Sequence, residues 1–138
     1  MSSVRKKDQS EHRFTVLDKC LDLYDHTTTV TANPKFQQCP TLTDRLNDEA
    51  AMIYHLCRCA NEDLDARDKQ EAAMRMNLQA DALGHCKWLK TYIMLAQRKL
   101  HLRAKKAAYW TGLVNTAMDY IKKWQVSEKR RYKETHGL

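Results

Sequence analysis

Turn formers are scarce in this chain. Its 138 residues include three glycines and two prolines, and both prolines, Pro34 and Pro40, fall in one short stretch. An all-β fold, which needs a turn every few residues, is therefore disfavoured. With glycine only at positions 84, 112 and 137, neither GxGxxG nor GxxxxGK[ST] can be written, so Gly-rich phosphate loops are excluded. No apolar run approaches the ~20 residues of a membrane span. The longest near Ile93 is Tyr92-Ile93-Met94-Leu95-Ala96. The opening, Met1 to Lys7, is polar and basic with no apolar segment behind it, so no secretory signal is read there. The cysteines (Cys20, Cys39, Cys57, Cys59 and Cys86) are odd in number, and free thiols in a reducing cytoplasm are expected.

What is present suits amphipathic helices: 43% of residues are apolar and 30% charged. The length fits one domain with a sizeable core, needing no metal or disulfide staple. Residues 1–9 are expected to be disordered, 10–132 to form the bundle, and 133–138 to be a flexible tail. Ser10 is placed to cap a first helix whose inward stripe is Phe14, Leu17, Leu21 and Tyr24. The β-branched run Thr27–Thr31 should fray its end. Residues 32–41 read as the longest loop. Thr41 with Asp44 resembles a capping box for a second helix lined by Leu42, Leu46, Ile53, Cys57 and Ala60. Glu62, Asp63 and Asp65 suit the N-terminus of a third helix running from Ala66 to Leu100. Its stripe is Cys86, Leu89, Ile93, Ala96 and Leu100; Gly84 interrupts its middle, either as a close-packing site or neutrally.

After a short connection from His101 to Arg103, a fourth helix is expected from Lys105 to Tyr132. Ala107, Trp110, Val114, Ala117, Ile121 and Trp124 alternate in steps of 3 and 4 along it. Leu113, Met118 and Tyr120 widen that face enough to touch two neighbours or a second subunit. Short links between long helices favour antiparallel neighbours. The fold expected is all-α, an up-down antiparallel four-helix bundle.

Motifs for chemistry are weak. Cys57-x-Cys59 has too short a spacing for a structural zinc site and lacks a second ligand pair. Asp63, Asp65 and Asp68 lack the glycine of a calcium loop, and capping explains them better. His55 and Cys59 lie four apart on one helical face, whereas His85 and Cys86 diverge; nothing singles out one thiol as a nucleophile. No catalytic residue, metal or cofactor is expected. Trp110 and Trp124 belong to the core stripe, while Trp88 stands beside its own helix's stripe, at a subunit interface or, less favoured, as a base-stacking platform.

Charge is the informative feature. Residues 87–138 carry 13 Lys/Arg against 3 Asp/Glu, whereas residues 1–86 carry 11 against 14, so the formal +7 is really +10 beside −3. Such polarity points to a polyanionic partner, because neutralising phosphates releases condensed counterions. The candidate positions are Lys87 and Lys90, Arg98, Arg103, Lys105 and Lys106, Lys122 and Lys123, and Lys129, Arg130 and Arg131. In an antiparallel hairpin, residues 87–90 should lie level with 116–123 and share a side with Lys122 and Lys123. A solvated basic face, or cations set at helix C-termini, is the competing explanation.

Ala60-Asn61 closing the second helix, Ala82-Leu83 followed by Lys87-Trp88-Leu89-Lys90, the Tyr109-Trp110 pair and the late Trp124 carry a family resemblance. Over residues 12–132 the chain resembles the four-helix-bundle superfamily of the diversity-generating retroelement accessory variability determinant (Avd) and the proteins encoded in 23S-rRNA intervening sequences. The basic last helix and Tyr109-Trp110 tilt it toward the Avd-like branch. The resemblance implies a homopentameric barrel that is not an enzyme. It further implies binding to the retroelement's reverse transcriptase and to template RNA and cDNA, in support of mutagenic reverse transcription. The positions carried over are Lys87 and Lys90, where the family is Arg-rich around an aromatic-Leu pair; lysine keeps the charge but not the bidentate phosphate geometry. The alternative is a protein-interaction bundle that binds no nucleic acid.

Overall fold

The computed structural model describes residues 2–137, with side chains described for residues 15–137. Four helices account for nearly all of it: α1 (Ser2–Thr31), α2 (Pro40–Glu62), α3 (Lys69–Leu100) and α4 (Ala104–His136). No strand occurs among the described residues. Each helix packs on its chain neighbours and α1 closes the ring against α4, giving an up-down four-helix bundle. Helix α1 begins at Ser2, so Ser10 lies inside it and does not cap it; the inward Phe14 and the expected disorder at 1–9 fall where side chains lie outside the described residues.

The inner face of α1 is rotated from the expected stripe by about one residue. Val16, Cys20, Leu23 and Thr27 are buried, Leu17 and Tyr24 are half-buried, and Leu21 is exposed. Two threonines cause the difference, since they enter the core with their hydroxyls satisfied. Thr27 donates to the Leu23 carbonyl at 2.8 Å and accepts from Trp110 Nε1 at 3.0 Å. Thr31 donates to the Thr27 carbonyl at 2.8 Å and accepts from Asn47 Nδ2 at 3.0 Å. Back-bonding to i−4 carbonyls and tertiary partners hold this run helical to Thr31, so it does not fray.

The segment after α1 is not a plain loop. Asn33 caps a short 3-10 helix, Pro34–Gln38, and sends Phe36 into the core against Trp110, edge to face at 6.2 Å. Pro40 then opens α2 at its first turn, where a missing N–H costs nothing. Thr41 therefore lies inside the helix, and its hydroxyl caps nothing. Ala50 joins Leu46, Ile53, Cys57 and Ala60 on the buried face, with Leu42 half-buried.

Asp68 is the cap of α3: its Oδ2 accepts from Glu71 N at 2.9 Å, so the helix starts three residues later than Ala66. Glu71 in turn accepts from Asp65 N at 3.3 Å. His101 ends α3 in the left-handed region (φ 56°, ψ 45°), and the Leu102 N–H closes on Gln97 O at 3.2 Å. At exposed Gly84 an added Cβ would meet nothing, so this glycine does not serve close packing. Every expected stripe residue of α3 and α4 is buried. Both stripes also run further than expected and become polar, through Gln79 and Arg75 on α3 and Glu128 on α4. Helix α4 continues to His136, whose Nε2 stands 3.1 Å from the Ala66 carbonyl.

Candidate nucleic-acid interface

The α3 core positions 72, 75, 79, 82, 86, 89, 93, 96 and 100 alternate in steps of 3 and 4, as do 107, 110, 114, 117, 121, 124 and 128 on α4. Lettered a and d, these seams fix every other position, because the order around a helix is a-e-b-f-c-g-d. On α3 the g residue His85 meets Glu49 of α2, so its g and c edge faces α2 and its e and b edge faces α4. On α4 the g residue Tyr120 lies beneath Lys19 of α1, so its e and b edge faces α3.

The face shared by α3 and α4 is therefore built from the e and b positions of both helices. It holds Lys87 and Lys90 on α3, and Lys122 and Lys129 on α4. Its remaining positions are small, amide or apolar: Ala73, Ala80, Ala108, Asn115, Gln97 and Gln125 among them. No carboxylate occupies it. The buried Arg75–Glu128 pair sets the antiparallel register. Counting from it, Lys87 lies level with Thr116 and Lys90 with Leu113, while Lys122 lies level with Asp81. Lys87–Lys90 and Lys122 thus do not sit at one height as expected. They follow one another along the axis, separated by about 9 Å at a rise of 1.5 Å per residue, and Lys129 lies about 10 Å further on. The result is a strip of positive charge along the bundle axis.

The other candidates are distributed around this strip. Arg98 on α3 and Lys105 on α4 occupy the outward crests, and Arg103 and Lys106 stand at the connection end. Lys123 and Arg130 turn toward the α1 side of α4, with Lys123 Nζ 5.6 Å from the Tyr120 ring centroid. Half-buried Arg131 leaves the surface set altogether. It lines a polar cavity of about 300 Å³ at the α2–α3 link with Asn61, Arg67 and Arg75. Among the described residues the ion pairs involve Arg58, Arg67, Arg75 and His85, and none of the eleven candidate cations. The strip thus forms no ion pair among the described residues, and Asp119 stands three residues before Lys122 on α4.

Thiol chemistry has no comparable support. Cys59 Sγ lies 3.6 Å from His55 Nε2. However, desolvation, followed by the hydrogen bond and charge of Asp63, raises its pKa, the reverse of what an activated thiolate needs. Cys20, Cys57 and Cys86 are buried core residues. Among the described residues no His/Cys/Asp/Glu cluster could hold a metal ion, and no helix is long and apolar enough to cross a membrane.

Sequence reasoning missed a groove on the α2 side of α3, about 970 Å³, between the start of α2 and the end of α3. Its signal was legible: Trp88, Tyr92 and Leu95, spaced 4 and 3 apart, form a second apolar stripe one step around from the seam. No protein-family model, curated protein or solved structure matches this chain.

Proposed function

We propose that this bundle binds nucleic acid through its α3–α4 face. In line with the resemblance to Avd-like bundles, we further propose that it acts as a non-enzymatic accessory factor of a diversity-generating retroelement. In that role it assembles as a homopentamer and holds template RNA or cDNA beside the reverse transcriptase. The observation that carries the binding step is the carboxylate-free strip of Lys87, Lys90, Lys122 and Lys129, none of which forms an ion pair among the described residues. Lysines spaced along an axis suit a repeating anion and read charge rather than sequence. The reverse-transcriptase partner and the subunit number rest on the resemblance alone.

The test is RNA affinity against salt. Four lysine–phosphate contacts on a single strand give a slope of about −2.8 in log K against log salt, at roughly 0.7 per contact. Lys87→Glu/Lys122→Glu, both exposed, should bring the slope to about −1.4 and lower affinity for all sequences alike. Affinity indifferent to that double change removes the strip from the binding site. Salt-sensitive capture of the reverse transcriptase without RNA affinity favours the protein-interaction alternative.

A further inference from the structure

The groove on the α2 side of α3 combines two kinds of lining. Its floor is apolar, with Leu42 from α2 and Tyr92 and Leu95 from α3; its rim is cationic, with Arg45, Arg98 and Lys99. No carboxylate lines it. The floor continues beyond the groove through Trp88, whose ring stacks on Tyr92 at 5.6 Å between centroids and 25° between planes. Trp88 is 55% exposed, so one face of that stack is open to solvent. Arg98 sits on the outward crest of α3, between this groove and the edge that carries the lysine strip, whose nearest member, Lys90, lies eight residues, about 12 Å, down the helix.

An exposed planar π-surface flanked by unpaired cations is the chemistry that recognises an unpaired nucleobase and its phosphates. A duplex offers phosphates but keeps its base faces stacked on one another, so it can use the strip and not the aromatic pair. We propose that the Trp88–Tyr92 stack and the groove beside it take one or two unpaired bases of a single-stranded nucleic acid. The base lies on the indole, and the flanking phosphates meet Arg45, Arg98 and Lys99. The consequence is a preference for single-stranded over duplex nucleic acid. This inference rests on the nucleic-acid reading of the α3–α4 face and adds to it the class of strand selected.

The other tryptophans make the test specific. Trp110 and Trp124 are 1% and 3% exposed, so stacking on the surface quenches the emission of Trp88 alone. The full-length protein is titrated with a single-stranded oligoribonucleotide and with the same sequence as a duplex, following tryptophan fluorescence and anisotropy of the labelled nucleic acid. Single strand should bind more tightly than duplex and quench the solvent-exposed emission. Trp88→Ala should lower single-strand affinity roughly 5- to 150-fold, the range for one stacked base, with duplex affinity unchanged, and Trp88→Phe should restore most of the loss.

If Trp88→Ala leaves the single-strand/duplex ratio unaltered, the base-stacking inference falls while the strip reading stands. Absence of binding to either form overturns both. A change in oligomeric mass with equal loss of both forms makes the groove a contact between copies, and quenching by anionic vesicles in place of RNA makes it a lipid site. Either result ends the proposal.

Discussion

The buried Arg75–Glu128 pair makes a sharp prediction about how the two longest helices are locked together. Both side chains are 3% exposed. Arg75 donates to the carboxylate through Nη2 and, at 3.3 Å, through Nε, while its Nη1 donates to the Leu64 carbonyl at 2.8 Å. Glu128 also accepts from Trp124 Nε1 at 3.1 Å. Glu128→Leu removes the acid paired with this guanidinium among the described residues and leaves a cation in the core, at a cost of about 3–5 kcal/mol. Arg75→Met strands the carboxylate at a similar cost, and adds about 1 kcal/mol for the orphaned Leu64 carbonyl. The double variant holds no buried charge and loses the hydrogen bonds to the Leu64 carbonyl, from Trp124 Nε1 and, at 3.5 Å, to the Asn61 carbonyl, about 1–3 kcal/mol in all. Each single change should thus cost more than both together, with a coupling energy of at least about 3 kcal/mol, a large share of a typical domain's 5–15 kcal/mol. Urea unfolding of the four proteins, followed by far-UV circular dichroism, measures this cycle. Single-variant costs that add to within about 0.5 kcal/mol would refute the reasoning.

Four further outcomes are expected. Gln79 is fully buried with both amide atoms unpartnered, so Gln79→Leu should stabilise the bundle by about 1–3 kcal/mol; a destabilised variant in the same urea assay contradicts that. Gly84→Ala, at an exposed helical site where the added methyl meets nothing, should raise stability by about 1 kcal/mol. Burial pushes the Cys86 thiol up to about 12, and the hydrogen bond with Cys20 together with burial raises Cys57 as well. These thiols keep their protons in the folded state above the ordinary value of 9.0, so their contribution to stability is full below 9.0 and is lost as pH rises from there toward 12. A thiol reagent at pH 8 should modify the half-buried Cys39 and Cys59 without unfolding, and Cys20, Cys57 and Cys86 only at the rate of unfolding; equally fast modification of all five would contradict the buried assignment.

The seams of α3 and α4 were legible because their core is hydrocarbon in strict 3–4 alternation, which an apolar pattern detects. On α1 that criterion slipped by one position, since it scores threonine as polar and cannot see that Thr27 meets Trp110 across 83 residues of chain. Arg75, Gln79 and Glu128 escaped for the same reason: they continue the spacing of the stripes, but charged and amide residues are rarely buried unless paired. The short 3-10 helix hid behind its prolines, although Asn33-Pro34 followed by Phe36 holds the cap and the buried ring. The basic residues were all visible, whereas their grouping was not. Sorting Lys122 from Lys123 requires knowing which neighbour each helix edge meets.

The unbroken 3–4 spacing of α3 and α4 also makes the bundle modular in length. Deleting seven residues from each helix at matching heights would keep every side chain on its own side and shorten the hairpin by about 10.5 Å. A deletion of one residue would instead swing everything beyond it by about 100° and scatter the lysines. At the 3.4 Å axial rise of a strand within a duplex, each heptad spans about three phosphates, and it spans fewer of an extended single strand. The length of strand gripped, and with it affinity, can therefore grow or shrink in whole-heptad steps while the hydrocarbon interior stays in register.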